Sequence, residues 1–136
     1  MELKYMTNKV FISWEEYEDH IDSIVDWVQT QDLSLGAVYG LPRGGLPIAV
    51  SLSHRLHLPL LMDYYDRKIV TDKQILVVDD IADTGQTLNT FSKLDGVYIA
   101  TIHYHQQSTF VPDKWVHEKK DQWIVYPWEK EYWEGN

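Results

Sequence analysis

The sequence predicts an α/β domain: a mainly parallel sheet of four to five strands, helices on both faces, and a small C-terminal flap, or hood, over the strand ends. Three observations predict it. Short apolar runs, LGAVYG, LPLLMDYY, ILVVDD and GVYIATIHY, alternate with segments of helical character. Several of these runs are apolar throughout rather than on alternate residues, which suits strands covered on both faces. At 136 residues and 44% hydrophobic content, the chain can bury one core and has little room for a second.

The first helix is marked at its start. Ser13 and Glu16 form a capping box, and Ile12 with Tyr17 forms the staple around it. Tyr17, Ile21, Ile24, Val25 and Val28 then share one face. LGAVYG, bounded by glycines, reads as a buried strand. LPRGG is a turn opening an apolar helix from about Leu46 to Leu56. LPLLMDYY reads as a second strand with an exposed continuation, DRKIVTDK. ILVVDD is the third strand, TGQTLNTFSKL the next helix and GVYIATIHY the fourth strand. The single domain is expected to span 1–136, with a core over about 10–105 and a C-terminal flap over about 106–136. That flap is rich in Trp and charge and holds two strand-like pieces, KWVHE and QWIVYPW.

Charge and composition narrow the functional classes. Twelve basic against 21 acidic residues give a net charge of −9, which argues against a broad nucleic-acid or anionic-membrane surface. The absence of cysteine removes disulfides, thiolate nucleophiles and cysteine-based zinc sites, and fits a reducing compartment. MELKYMTNKV lacks a signal-peptide core and no apolar run is long enough to cross a bilayer, so a cytoplasmic protein is expected. His54 and His57 read as surface residues. His103 and His105 alternate on a strand but have no carboxylate at ligand spacing, which disfavours a metal pair.

The chemistry concentrates in ILVVDDIADTGQT. Asp79 and Asp80 fall at the carboxyl end of a buried strand, where open α/β sheets bind ligands. The following turn aims backbone N–H groups and the hydroxyls of Thr84 and Thr87 at one anion, and Gly85 permits close approach. An anion cradle beside carboxylates calls for a ligand with phosphate at one end and hydroxyls or a metal at the other, as in a ribose 5-phosphate. A receiver domain would need more chain after Ile75 than remains. The Walker A signature and G-x-G-x-x-G are absent, and Ile81 and Ala82 would occupy EF-hand ligand positions.

These thirteen residues resemble the phosphoribosyl-pyrophosphate (PRPP) motif of type I phosphoribosyltransferases. YGLPRGGLPIA resembles the family's pyrophosphate loop. FISWEEYEDHI and DQWIVYPWE resemble segments of bacterial xanthine-guanine phosphoribosyltransferases. The resemblance implies a purine phosphoribosyltransferase of nucleotide salvage, moving the phosphoribosyl group from PRPP to a 6-oxopurine (guanine, xanthine or hypoxanthine) with release of pyrophosphate. An enzyme for another base, or a PRPP-binding regulator with little catalysis, is the alternative.

By the same resemblance, Asp79 and Asp80 would hold the ribose diol and are the candidate protein ligands of Mg²⁺, otherwise bound through substrate. Asp83, Thr84, Gly85, Gln86 and Thr87 would hold the 5-phosphate, with Asp83 also the catalytic proton-transfer group. Arg43, Gly44 and Gly45 would receive pyrophosphate across a cis Pro42–Arg43 peptide, and Arg67 and Lys68 could reach it from the remnant of a mobile loop. Trp123, with the backbone of Ile124 and Val125, would bind the base. His105 aligns with the lysine that contacts the 6-oxo group in related enzymes. A homodimer or higher homo-oligomer is expected.

Overall fold

The computed structural model of the chain describes residues 9–129. The opening eight residues and the last seven of the expected flap lie outside that range. Strand β1 (Lys9–Phe11) precedes helix α1 (Trp14–Thr30), which is followed by β2 (Leu35–Gly40), α2 (Gly45–Leu56) and a two-residue β3 (Leu60–Leu61). A 3-10 turn (Tyr64–Asp66) and the single-turn α3 (Arg67–Val70) lead into β4 (Gln74–Ala82). Helix α4 (Gln86–Ser92), β5 (Val97–His105), β6 (Lys114–Lys119) and β7 (Trp123–Val125) complete the chain.

Helix α1 starts where its local chemistry directs. Ser13 Oγ accepts from Glu16 N–H at 3.0 Å and Glu16 Oε1 accepts from Ser13 N–H at 3.2 Å, closing the capping box. The predicted stripe is buried, and His20 is buried with it. Five strands form one sheet in the order β3-β2-β4-β5-β6, and every pairing is parallel. Alternate residues feed two cores. Val38, Leu76, Val78, Ala100 and Ile102 pack beneath α1 and α2, while Ala37, Ile75, Val77 and Ile99 pack against Leu88 of α4, with Phe91 beside them, and Tyr64. Helices on both faces are what the apolar strands require.

Three expectations change. LPLLMDYY forms only a two-residue strand. Asp63 Oδ1 accepts from Tyr65 N–H at 2.9 Å and turns the chain, which returns Tyr64 to the core against Tyr39 and Phe91. DRKIVTDK is not a plain extension, because Arg67–Val70 makes a turn of helix. KWVHEK belongs to the main sheet rather than to the flap: Asp113 Oδ2 accepts from Ile99 N–H at 2.8 Å and seats β6 along the free edge of β5. The hood is built from both ends of the described chain, since β7 pairs in parallel with β1 and Ile12 N–H donates to Val125 C=O at 2.9 Å. Among the described residues, no helix is long and apolar enough to cross a membrane.

Candidate active site at the carboxyl ends of the strands

Strand β4 runs through Ala82, so Asp79 and Asp80 sit on its last turn of pleat, with their side chains within hydrogen-bonding reach of each other. Asp79 lines a hollow of about 120 Å³ with Asp83, Thr84, Gly85, Gln86 and Thr87. Asp80 lines a second hollow of about 180 Å³ with Asp83, Lys119, Trp123, Tyr126 and Glu129. The two hollows share Ile81 and Asp83 and therefore adjoin.

The acidic pair is electrostatically loaded. Asp79 Oδ1 accepts from Asp80 N–H and Asp80 Oδ1 accepts from Ile81 N–H, both at 2.8 Å. Burial, then the neighbouring Asp80 carboxylate, pushes the Asp79 carboxyl up to about 8. Burial also raises Asp80, against the pull of hydrogen bonds from Asp79 and Ile81. Such a pair holds a proton near neutrality until a cation or hydrogen-bond donors replace it.

The glycines of both loops are explained by close approach. A Cβ on Gly44 would collide with the Asp80 carboxylate, and one on Gly45 with the Val78 carbonyl. The PRGG loop therefore lies directly on the acidic strand end, and its Pro42–Arg43 peptide is cis. Gly85 takes φ +79, which favours glycine, and a side chain there would meet Ser108. Thr109 N–H donates to Thr84 C=O at 2.8 Å and braces the turn from the far side.

The structure brings Arg43, Gly44, Gly45, Asp79, Asp80, Asp83–Thr87 and Trp123–Val125 to one end of the sheet. It does not bring Arg67 and Lys68 there. They line a hollow with Thr71, Gln74, Ile75 and Gly96 beside the amino end of β4, and the Arg67 guanidinium stacks 4.5 Å over Tyr64. The α3 turn carries them down the sheet edge, away from the PRGG loop.

His105 is also diverted. Its Nδ1 accepts from Gln107 N–H at 3.1 Å, and it is absent from the hollow that holds Trp123. Lys119 of β6 is there instead, only 17% exposed, with Nζ 3.8 Å from Asp83 Oδ1. Gln107 Nε2 donates to the same oxygen at 3.0 Å. Sequence reasoning missed Lys119, Gln107, Tyr126 and Glu129. YPWE contained two of them, but nothing local signals that Glu129 turns back to accept from Tyr126 N–H at 2.9 Å. Burial raises the Glu129 carboxyl, while the hydrogen bond from Tyr126 N–H and, less strongly, nearby Arg43 oppose the rise. Trp128 stacks on Tyr126 at 5.0 Å, in keeping with a packing role. His54 and His57 are exposed.

A parallel sheet with its acid pair, anion turn and glycine loop gathered under a hood defines the type I phosphoribosyltransferase fold. The chain belongs to the phosphoribosyl transferase domain family, whose model matches residues 61–133, more than half its length, and it is an enzyme of that family. It is similar to a xanthine-guanine phosphoribosyltransferase of Desulfotalea psychrophila, 24% identical over 88% of this chain and 86% of the relative. The fold is similar to a purine phosphoribosyltransferase from Pyrococcus horikoshii, 26% identical with a TM-score of 0.72, covering 90% of this chain and 94% of the other. A xanthine-guanine-hypoxanthine phosphoribosyltransferase of Helicobacter pylori, 21% identical, shares the fold with a TM-score of 0.75 over 94% of this chain and 98% of its own.

Proposed function

We propose that the protein transfers the 5-phosphoribosyl group from PRPP to a 6-oxopurine. The observation that carries this reading is the pair of adjoining hollows that meet at Asp83, one walled by an anion turn and the other by an exposed aromatic ring. The turn of Asp83–Thr87 would hold the 5-phosphate through backbone N–H groups and the Thr84 and Thr87 hydroxyls. Asp79 and Asp80 would accept from the ribose diol and place negative charge beside the anomeric carbon. There the C–O bond to pyrophosphate breaks, the leaving oxygen takes the electron pair, and oxocarbenium-like charge builds before the base nitrogen bonds. Arg43 and the Gly44 and Gly45 amides would receive the departing pyrophosphate.

The acid pair fits a hard divalent cation, since it offers oxygen donors whose crowding a cation would relieve. Asp79 and Asp80 are the residues that would hold Mg²⁺, with substrate oxygens completing its shell. Bound there, the ion would neutralise charge on the leaving group.

Trp123 is 41% exposed at the mouth of the second hollow, where a purine could stack on it. Among the described residues, Lys119 is the cation lining that hollow and would meet a 6-oxo group, the part the family resemblance gave to His105. Asp83, held by Gln107 and Lys119, would take the proton that the base nitrogen releases. A panel of purines and pyrimidines with PRPP and Mg²⁺, scored by pyrophosphate release, tests the reading. Release with guanine, xanthine or hypoxanthine is expected. Reaction with adenine or a pyrimidine alone would refute the 6-oxopurine assignment, and PRPP binding without release for any base would indicate a regulator.

A further inference from the structure

One buried phenol joins the two halves of the site. Tyr126 is 2% exposed, follows directly after β7, and its hydroxyl lies 3.1 Å from the Asp80 carbonyl and 2.8 Å from His103 Nδ1. A carbonyl only accepts, so the single phenol proton goes to Asp80 C=O. His103 Nδ1 must then carry a proton and donate to the phenol oxygen, which fixes the imidazole tautomer. His103 is itself 4% exposed and packs against the rings of His20 and His117 at 6.0 Å each. Burial and then the neighbouring His20, His117 and Lys119 push its imidazole down to about 3, so it stays a neutral donor through the physiological range. Burial likewise raises the Tyr126 phenol, with Asp80, Glu129, Asp79 and Asp83 adding to the rise.

We propose that Tyr126, held by His103, is a positioning residue for the transfer step, tying the base-reading hood to the backbone of the strand that presents the ribose carboxylates. The ring lies only three residues beyond Trp123, about 10 Å of extended chain, so whatever fixes Tyr126 fixes the stacking aromatic. The Asp80 carbonyl belongs to a residue that itself lines the second hollow. Loss of the tether would let acceptor and donor each bind while their reacting atoms fall out of line.

This inference rests on the transferase reading above, and its test separates the two. Tyr126→Phe keeps the ring that stacks on Trp128 and removes both hydrogen bonds. Its kcat should fall about 10- to 100-fold, as for a misplacement near 1 Å, with the KM for PRPP changed less than about threefold. His103→Asn, whose amide can reproduce the Nδ1 donor, should retain most of kcat, whereas His103→Leu should lose it as Tyr126→Phe does. Thermal melts of each variant identify any that fail to fold, and the remaining variants still decide the matter. Wild-type kcat in Tyr126→Phe, or equal kcat in His103→Asn and His103→Leu, would overturn the proposal while leaving the transferase reading intact. An inactive wild-type enzyme would overturn both.

Discussion

Asp79→Asn should stabilise the protein while disabling it. The Asp79 carboxyl titrates near 3.8 in the unfolded chain and about 8 in the fold. A carboxyl whose folded value is raised opposes folding in its charged form: the native state binds more protons than the unfolded state between those two values, so stability falls as pH rises across them. At pH 7 the unscreened cost would be about 4 kcal/mol, at about 1.4 kcal/mol per pH unit. Asp79 is half-buried and faces an open hollow, and solvent there reduces the cost to about 1–3 kcal/mol. Asparagine removes the charge and retains the oxygen that accepts from Asp80 N–H. For a domain of this size the melting temperature should rise by about 3–10 °C at pH 7. The gain should vanish near pH 4, grow with pH and level off above about 8, as read by calorimetry or far-ultraviolet melts. Pyrophosphate release should fall sharply, because the diol loses a charged acceptor. A melting temperature that falls, or a gain equal at pH 4.5 and pH 8, would refute the reasoning.

Other outcomes are expected from the same geometry. Trp123→Ala should raise the KM for base by about 5- to 150-fold, the loss of one stacked ring at about 1–3 kcal/mol, and leave the KM for PRPP nearly unchanged. Lys119→Met should weaken binding of 6-oxopurines and narrow the difference between guanine and adenine, whereas His105→Ala should change neither. The reverse result would return the oxo contact to His105. Asp83→Ala should lose about 10²- to 10⁴-fold in turnover while PRPP binding, measured by calorimetry with Mg²⁺, survives.

The sites legible in the sequence are those whose partners are neighbours in the chain. Ser13 and Glu16 lie one helical turn apart, so their reciprocal bonds could be written down before any fold was known. The acid pair and the anion turn are likewise contiguous, and strand polarity in a parallel sheet sends them and the separate Gly44–Gly45 loop to the same end. The misreadings occur where the outcome depended on an edge or a reversal. Arg67 and Lys68 lie a few residues from a strand end, and only the Asp63 turn decides that they descend the sheet. The family resemblance also placed His105 beside the base, yet Gln107 N–H draws its ring into a local turn.

The sequence by itself pointed to the donor side proposed for this protein, because the groups assigned to phosphate, diol and pyrophosphate are packed into two short motifs, each compact in the chain. On the proposed acceptor side the sequence offered Trp123 and Ile124, and tertiary structure decided what stands around them. Lys119 reaches Asp83 because β6 registers His105 against Lys119 along the sheet edge, and Trp123 overhangs both because β7 borrows β1 from the other end of the chain. The Tyr126 tether joins residues 23 and 46 positions apart. Contacts of that kind follow from strand register and burial, which are properties of the assembled core and not of any segment within it.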